Sequence, residues 1–239
     1  MDCRDAAPPM TPEVAGRYRA VVERAAAAAV RAGRRPADVT VVAAAKSFGA
    51  DAVRAAVAAG AADVGENYVQ EARLKQQQLA GLAIRWHMIG RLQRNKAKHA
   101  VSLFHLVHSL DGFELAQALD QAAQRAGTTA TCLIEVNVGA ERTKAGIAPE
   151  QLREMLEQTA MCSHLQIRGL MTIQPPGSAA ESRKSFARLR ALRDRLDDLR
   201  LPNVQLKELS MGMSSDFEAA IAEGATLVRI GTAIFGPRK

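Results

Sequence analysis

The sequence predicts an α/β fold, a single (β/α)8 barrel of the TIM type with an extra helix at its N-terminus. Eight short runs of apolar, often β-branched residues alternate with longer segments whose apolar residues recur at three and four positions. This alternation is typical of repeated βαβ units. Unusually polar residues follow most of the eight runs, and barrels of this class carry their sites at the C-terminal ends of their strands. Both observations point to the same architecture.

The elements follow in chain order after a predicted helix at about Thr11–Ala32. The strand candidates are Val39–Ala45, Asp63–Glu66, Ile84–Ile89, Leu103–Ser109, Ala130–Val138, Gln166–Thr172, Gln205–Ser210 and Thr226–Ile230. The helical segments between them are Ala50–Ala59, Tyr68–Leu79, Asn95–Ala100, Phe113–Ala126, Pro149–Cys162, Ala179–Leu199 and Phe217–Ala222. Pro149 suits a first helical turn, and Asp216 can cap the short helix that follows it. The alternative fold is an open doubly wound sheet, in which the last strand would not pair with the first.

Length and composition indicate one soluble domain. With 239 residues and 48% hydrophobic content, the chain can bury one substantial core, and we predict a single domain over residues 1–239 with residues 1–10 disordered. The three cysteines are odd in number and widely spaced, so neither a disulfide framework nor a zinc site is indicated. No segment reads as a signal peptide or a membrane span, and the protein is expected to be cytoplasmic.

The formal net charge of +7 has three explanations, namely nucleic acid, an anionic small molecule or an arginine-rich surface. The densest basic run is Arg91–His99, and it lacks interleaved aromatic residues. Aromatic residues make up only 4% of the chain, which makes a stacking platform for single-stranded nucleic acid difficult to assemble. We predict no nucleic-acid or membrane binding. A nucleic-acid or partner-binding barrel that uses Arg91–His99 stays as an alternative.

Lys46 directly follows the first predicted strand, where a long cationic side chain would point into a cleft. Desolvation in such a place can lower the pKa of a lysine and leave a neutral amine that attacks a carbonyl, as Schiff-base lysines do. The alternative is a lysine that merely reaches solvent from a strand end.

Two segments with glycines and hydroxyls, Ser210–Asp216 and Arg229–Thr232, follow the last two predicted strands. Loops at these places in barrels bind phosphate through backbone N–H groups, and side-chain hydroxyls can add donors. The alternative is that these residues serve turns and helix caps. Arg229 stands in a buried strand pattern, so it needs a partner. That partner is either a carboxylate, such as Glu208 or Glu135, or a group of a bound ligand.

Six ordered motifs carry a resemblance that runs from about Val39 to Gly236. They are Ala45–Ser47, Val64–Glu71, His87–Lys96, Glu135–Val138, Arg168–Met171, and Leu209–Ser214 with Val228–Gly236. On these motifs the chain resembles the pyridoxal phosphate (PLP) homeostasis proteins, the small single-domain relatives of the alanine racemase N-terminal barrel. The third motif usually has Phe where this chain has Met88, an apolar exchange that should preserve packing.

The resemblance implies that Lys46 holds PLP as a Schiff base and that the protein serves PLP homeostasis. The implied cofactor-binding residues are Lys46, Asn67, His87, Met171, Ser210, Met211, Gly212, Arg229, Gly231 and Thr232. Among them, Ser210, Gly231 and Thr232 would form the phosphate cradle. Arg229 would face the pyridine nitrogen, and its permanent charge should keep that nitrogen unprotonated and weaken the ring as an electron sink. For His87, a core histidine satisfied by protein groups is the alternative to direct contact.

Three further residues, His105, His108 and Lys144, are candidates for a role at the site. His105 and His108 stand three apart on a predicted strand and would face opposite sides, so no metal site is predicted. Lys144 falls on the loop after the fifth strand, where the family commonly has a basic residue, and it could accept the cofactor during transfer.

A carrier is predicted rather than an enzyme, because racemisation needs a base on each face of the α-carbon. In the racemases that the chain resembles, the opposing base is a tyrosine from an additional β domain, and this sequence ends straight after the last strand. Tyr18 and Tyr68 are its only tyrosines. The alternative is a PLP-dependent racemase or related enzyme with Tyr68 or a water as a poor second base. The expected partners are PLP and PLP-dependent apo-enzymes, and the protein is expected to be monomeric.

Overall fold

The computed structural model describes residues 11–139, 145–174, 178–196 and 198–237, so the predicted disordered segment 1–10 lies outside the described residues. The strands are β1 (Thr40–Ala44), β2 (Asp63–Glu66), β3 (Arg85–Met88), β4 (Leu106–Leu110), β5 (Ala130–Glu135), β6 (Leu165–Met171), β7 (Val204–Ser210) and β8 (Leu227–Ile230). The helices are α1 (Thr11–Arg31), α2 (Ala50–Ala58), α3 (Val69–Gln78), α4 (Ala97–Leu103), α5 (Phe113–Ala126), α6 (Leu152–Thr159), α7 (Ala179–Leu196), α8 (Phe217–Ala222) and α9 (Thr232–Phe235).

The eight parallel strands close into a barrel in which each strand pairs with the next and β8 pairs with β1. Residues Thr40–Ala43 of β1 run opposite Leu227–Ile230 of β8, and Ala43 also lies opposite Val64 of β2. The predicted (β/α)8 barrel is therefore confirmed, and the open-sheet alternative is wrong. An eight-stranded barrel has an interior just wide enough for side chains to fill it, so residues that point inward from different strands must meet.

The predicted strand boundaries differ most from the structure at β4 and β5. The sequence predicts the fourth strand from Leu103, but α4 continues through that residue and β4 begins at Leu106. The fifth strand ends at Glu135 rather than at Val138, because only an isolated bridge extends the pairing beyond it. Both errors arise where apolar residues continue past the end of the hydrogen-bonded ladder.

The first turn before α6 and the cap of α8 also differ from the prediction. The segment predicted as one helix from Pro149 begins with a 3-10 turn, Pro149–Gln151, in which the proline holds the first position as expected. Asp216 precedes α8, but its carboxylate accepts a hydrogen bond from the N–H of Met213 at 2.7 Å and bonds no N–H of that helix. Asp216 therefore shapes the loop before α8 instead of capping the helix.

The N-terminal helix α1 completes the outer ring of helices. The helix after β8 is only four residues long, and α1 packs against α2, α8 and α9. Its buried positions include Val14, Tyr18, Val21 and Ala25, which recur at three and four and form one apolar face. The predicted extra helix thus takes the place of an eighth outer helix. Within the described ranges, every helix is too short or too polar to cross a bilayer.

The barrel interior combines a small apolar cluster with polar side chains. The apolar cluster consists of Val42, Leu106, Leu133, Met171 and Leu227. These residues come from five strands around the barrel, so they can meet only in its interior. The remaining interior positions of β2, β3, β4, β7 and β8 carry charged and polar side chains, and these side chains form the candidate site.

Candidate functional site

Lys46 stands on a sharp turn at the mouth of the barrel. β1 ends at Ala44, and the N–H of Ala45 still bonds to the carbonyl of Gly65 in β2 at 2.9 Å. Lys46 is half-buried just beyond this bond. Ser47 then has a φ of 69°, in the left-handed region that non-glycine residues rarely adopt. Lys46 thus lies at the strand end that the sequence predicts, on a backbone that reverses immediately after it.

A buried ion pair between Lys75 and Glu66 contacts the backbone of this turn. The Nζ atom of Lys75 in α3 donates to the carbonyl of Ala45 at 2.9 Å and to Oε1 of Glu66 at 2.6 Å. Lys75 is 7% exposed and Glu66 is 0% exposed. Burial raises the pKa of Glu66, and Lys75 opposes that rise. Neither residue is among the predicted site residues, although a glutamate in a fully buried strand pattern signals that a partner must exist.

Asn67 lies at the contact between the loops that follow β2 and β3. A Cβ atom on Gly90 would lie 2.7 Å from both the Cα and the carbonyl oxygen of Asn67, so only glycine fits there. Asn67 is half-buried, and Tyr68 beside it is 60% exposed. Because β1 and β2 are neighbours, Asn67 and Lys46 stand on adjacent strand ends.

The segments that follow β7 and β8 pack against each other. Gly212 has a φ of 92°, and a Cβ atom there would lie 2.5 Å from the Cβ atom of Ala220 in α8. Glycine is therefore required for this segment to pass so close to the helix. The Oγ atom of Ser214 accepts a hydrogen bond from the N–H of Ala233 at 3.2 Å, which ties the two segments together.

Four other predicted residues divide into two pairs. Gly231 and Thr232 lie where α9 begins, and a Cβ atom on Gly231 would lie 3.4 Å from the carbonyl oxygen of Ala44. This pair therefore borders the end of β1. Met171 and Met211 are both fully buried, Met171 in the interior apolar cluster and Met211 in the main core between strands and helices.

Arg229 is held in the barrel interior by two neutral acceptors. Its Nη1 donates to Oγ of Ser210 at 2.5 Å, and its Nη2 donates to the carbonyl of Thr172 at 2.8 Å. Burial lowers the pKa of Arg229 to about 10, and the charge of Glu135 opposes this change. The guanidinium therefore stays charged at neutral pH. Of the two carboxylates expected as partners, Glu208 bonds a threonine hydroxyl instead, at 2.6 Å, and Glu135 acts only through its charge.

Ser210, the last residue of β7, has its hydroxyl buried against Arg229. The side chain is fully buried, and its Oγ lies 2.5 Å from Nη1 of Arg229 and 2.8 Å from Nδ1 of His108. In this arrangement the hydroxyl supports Arg229. The phosphate cradle of Ser210, Gly231 and Thr232 stays a prediction.

Glu135 is a carboxyl group that titrates near neutrality at the end of β5. It is 5% exposed. Burial raises its pKa to about 7, Asp111 adds to the rise, and Arg229 and Arg91 oppose it. The sequence places Glu135 in a strand pattern, but its pKa depends on the enclosure of the strand end by its neighbours.

His87 has protein partners on both ring nitrogens. Its Nε2 lies 2.9 Å from Oδ1 of Asp63, and its Nδ1 lies 2.9 Å from Nε2 of His108. The structure thus supports the core-histidine interpretation of His87. His108 is a residue that sequence reasoning missed, and it is fully buried, whereas His105 precedes β4 and is exposed. Among the residues that the structure describes, no group of three or more His, Cys, Asp and Glu side chains is arranged to hold a metal.

A cavity of about 990 Å³ opens beside the mouth, between the loops after β2, β3 and β4. Asn67 lines it together with part of the basic run. There Arg91 faces Asp111 at 3.6 Å and Arg94 pairs with Glu114 at 2.5 Å, so part of the positive charge is compensated. Of the described residues, those at the ends of β1, β7 and β8 do not line this cavity. The cavity therefore adjoins the candidate site instead of containing it.

Comparison with known proteins gives consistent matches over nearly the whole chain. A family model described as the N-terminal domain of alanine racemase matches residues 18–239. A protein of Pseudomonas aeruginosa named pyridoxal phosphate homeostasis protein is 47% identical over 219 residues, which is 91% of this chain and 93% of the relative. A protein of Aquifex aeolicus with the same name is 45% identical over 224 residues, 93% of this chain and 97% of the relative.

This chain belongs to the pyridoxal phosphate homeostasis protein family. The resemblance that its motifs carry is thereby confirmed. Two solved structures of PipY from Synechococcus elongatus, one without PLP and one with PLP bound, cover 90% of this chain and 100% of their own. Their identities are 43% and 42% and their TM-scores 0.81 and 0.79. Alanine racemase of Clostridium difficile shares the fold at 14% identity and a TM-score of 0.72, over 56% of its own length.

Within the fold of this family, the predicted residues lie partly along one side of the mouth and partly in the polar interior. Lys46, Asn67, Gly231 and Thr232 stand on strand ends that border one another. Ser210, Arg229 and His87 lie in the interior, joined through the unpredicted His108. Lys144, predicted as an acceptor of the cofactor, lies outside the described residues.

Proposed function

We propose that this chain binds PLP at the mouth of its barrel through Lys46 and acts as a carrier in PLP homeostasis, without efficient turnover of amino acids. The observation that carries the proposal is the position of Lys46 at the end of β1, between the ends of β2 and β8, in a chain whose relatives are named PLP homeostasis proteins. Bound PLP supplies an aldehyde that forms a C=N bond with an amine, and a conjugated ring that absorbs visible light.

The side chains at the mouth match the groups of PLP. The amine of Lys46 suits an aldehyde, and the guanidinium of Arg229 suits a ring nitrogen. Thr232 and the backbone beside Gly231 suit a phosphate, because hydroxyl and N–H groups donate to its oxygens. All these groups are cationic or donate hydrogen bonds, as an anionic ligand requires.

Two features hold the backbone of Lys46. The left-handed conformation of Ser47 sets the turn, and Lys75 holds the carbonyl of Ala45. A backbone held in this way reduces the entropy that is lost when the amine meets an aldehyde. The ion pair beneath Lys46 therefore supports capture of the cofactor.

The position of Arg229 favours a carrier of PLP over an enzyme that forms a carbanion on the cofactor. A cation against the ring nitrogen disfavours protonation of that nitrogen, and an unprotonated ring is a weaker electron sink. The guanidinium is held at two points, so it cannot easily turn away from the mouth.

The racemase alternative needs a second base, and the tyrosines offer weak candidates. Tyr18 is buried in the outer layer, where its hydroxyl lies 3.4 Å from the carbonyl of Gly60. Burial raises the pKa of Tyr18, and the charge of Asp63 adds to the rise. Tyr68 stands near the end of β2 but is largely exposed, so solvent competes for its hydroxyl. These positions favour a carrier.

The proposal is tested by the visible spectrum of the purified protein before and after borohydride, followed by peptide mass mapping. We expect a yellow protein that bleaches and carries pyridoxyl mass on the Lys46 peptide. Lys46→Ala should lose the mass, and the control Lys207→Ala, at an exposed lysine of β7, should keep it. A wild-type protein that takes up no PLP, or a label that persists elsewhere in Lys46→Ala, would contradict the proposal.

Two measurements distinguish a carrier from an enzyme: exchange of the α-proton of an amino acid, and transfer of PLP to an apo-enzyme. A carrier loaded with PLP should leave the α-proton of alanine unexchanged in D2O by NMR. It should also activate a PLP-dependent apo-enzyme when free PLP is removed by a scavenger. Rapid α-proton exchange that disappears in Tyr68→Phe would favour the racemase alternative.

We propose further that the protein is a cytoplasmic monomer that does not bind nucleic acid. The pairs Arg91–Asp111 and Arg94–Glu114 support only the absence of nucleic-acid binding, because they reduce the charge of the basic run. Light scattering after gel filtration and a salt titration with single-stranded oligonucleotides test these points.

A further inference from the structure

A continuous chain of hydrogen bonds crosses the interior of the barrel. It begins at Arg229 near the mouth and passes through Ser210, His108 and His87 to Asp63 at the start of β2. The successive polar atoms lie 2.5, 2.8, 2.9 and 2.9 Å apart. All five residues are at most 5% exposed. Water therefore does not compete for these bonds, and each bond polarises the next.

The far end of this chain is anchored by an ion pair. Arg85, the first residue of β3, donates through Nε to Oδ1 of Asp63 at 2.7 Å and through Nη2 to Oδ2 at 2.6 Å. Burial alone would raise the pKa of Asp63, but hydrogen bonds from His87 and Arg85 outweigh burial and lower the pKa to about 2. Asp63 is therefore a carboxylate at neutral pH.

The two ends set the direction of every bond between them. Arginine only donates and a carboxylate only accepts. With both imidazoles neutral, His87 and His108 each carry the proton on Nε2 and accept at Nδ1, and the hydroxyl of Ser210 donates to His108. Burial lowers the pKa of His108 well below its ordinary value, and the charge of Arg229 adds to the decrease, so this ring stays neutral. Every donor in the chain then has an acceptor.

We propose that Asp63 is a positioning residue for Arg229 and acts on it across the barrel through this chain. Asp63 orients His87, His87 orients His108, and His108 turns the hydroxyl of Ser210 so that its lone pairs face the guanidinium. The consequence for PLP rests on the proposed function, in which Arg229 faces the ring of the cofactor. The hydrogen-bond direction does not rest on it.

The direction of the hydrogen bonds is tested by NMR of the cofactor-free protein labelled with ¹⁵N-histidine. Long-range ¹H–¹⁵N correlations distinguish the two neutral tautomers from the imidazolium. We expect His87 and His108 as neutral Nε2–H tautomers at pH 7. A proton on Nδ1 of either ring at that pH would overturn the proposal. Because no cofactor is involved, this result is distinct from the outcome of the borohydride experiment.

The effect on Arg229 is tested by a double-mutant cycle that uses Asp63→Leu and Ser210→Ala. In the PLP-loaded protein, Asp63→Leu should weaken PLP retention roughly threefold to thirtyfold and shift the visible absorption maximum. In a protein that already carries Ser210→Ala, Asp63→Leu should cause no further spectral change, because the hydrogen bonds between Asp63 and Arg229 are already interrupted at Ser210. Full additivity of the two changes would overturn the proposal.

A matched control separates positioning from stability. Asp120 of α5 accepts a hydrogen bond from the N–H of His164 at 2.7 Å, and it lies on the outer layer. Asp120→Leu should lower the free energy of unfolding but leave the absorption maximum unchanged. An equal spectral shift in Asp120→Leu would show that the Asp63 effect is only structural. If Asp63→Leu does not fold, the tautomer measurement on the wild-type chain still decides the proposal.

Discussion

Two cations are buried near the mouth of the barrel, and they are held in opposite ways. Lys75 lies against the carboxylate of Glu66, whereas Arg229 is held by the hydroxyl of Ser210 and the carbonyl of Thr172. A buried ion pair cancels its own charge, while neutral acceptors leave the charge of a guanidinium available to a ligand. The difference indicates that the β1–β2 side of the mouth provides rigidity and the β7–β8 side provides charge.

Lys75→Met should have the largest effect, because it leaves the carboxylate of Glu66 buried without a cation. We expect a loss of about 3–5 kcal/mol in the free energy of unfolding at pH 8. The loss should be smaller at pH 5, because the raised pKa of Glu66 lets the folded state bind a proton that relieves the unpaired charge. Urea denaturation followed by circular dichroism at both pH values measures this.

A second variant serves as the control for Lys75. Combining Lys75→Met with Glu66→Gln removes both charges and should restore much of the lost stability. A loss below about 1 kcal/mol for Lys75→Met alone would contradict the view that the ion pair makes this side of the mouth rigid.

Glu135→Gln tests whether a carboxylate compensates Arg229 after all. The pKa of Glu135 is raised from 4.5 to about 7, so the folded state binds the proton more tightly than the unfolded state. The stability that this proton contributes is complete below pH 4.5 and is lost as the pH rises through 7. Glu135→Gln should therefore stabilise the cofactor-free protein by about 3 kcal/mol at pH 8 and have little effect at pH 4.5. Urea titrations at both pH values check this, and an effect independent of pH would contradict it.

Arg229→Met should cost less stability than Lys75→Met, although both remove a buried cation. It leaves two neutral acceptors unpaired and no carboxylate in direct contact, so we expect a loss of about 1–2 kcal/mol. PLP retention should fall about tenfold or more, since a charge-assisted contact is lost. Unfolding and PLP-binding titrations on one preparation compare the two effects. A stability loss as large as that of Lys75→Met would remove the proposed contrast between the two sides.

The turn at Ser47 should show the smallest effect. Ser47→Val places a β-branched residue at a φ of 69° and should destabilise the fold by about 1 kcal/mol. Ser47→Gly should change stability by less than about 0.5 kcal/mol, because relief of strain is offset by the entropy of glycine in the unfolded chain. Thermal melts of the two variants and the wild type measure this, and equal stability of Ser47→Val and Ser47→Gly would show that the turn is not strained.

Much of the fold was predictable because its signals are local. The alternation of β-branched runs and helical patterns depends on neighbouring residues, and the predicted strands match the observed ones closely at β2 and β8. The error at β4 also has a local cause, since the apolar residues before Leu106 satisfy both a helical and a strand pattern. Closure of β8 onto β1 followed only from the count of eight strands.

The candidate site was predictable in part for the same reason. Lys46, Asn67, Gly231 and Thr232 follow strand ends, so the topology alone brings them to one edge. His108 carries no such signal, because its partner Ser210 is 102 residues away in sequence. The contact depends on two inward-pointing positions that meet across the barrel.

The order of strands and helices can be derived from local sequence patterns, and so can the strand ends at which polar residues such as Lys46 gather. Which groups satisfy the buried charges depends on contacts between distant parts of the chain. Glu66 pairs with Lys75 of the next helix. Arg229 donates to Ser210 and Thr172 instead of to the carboxylates that its sequence context suggested. A buried charge takes its partner from the side chains that share its enclosure, and that enclosure is set by closure of the barrel for Arg229 and by packing of α3 against β2 for Glu66.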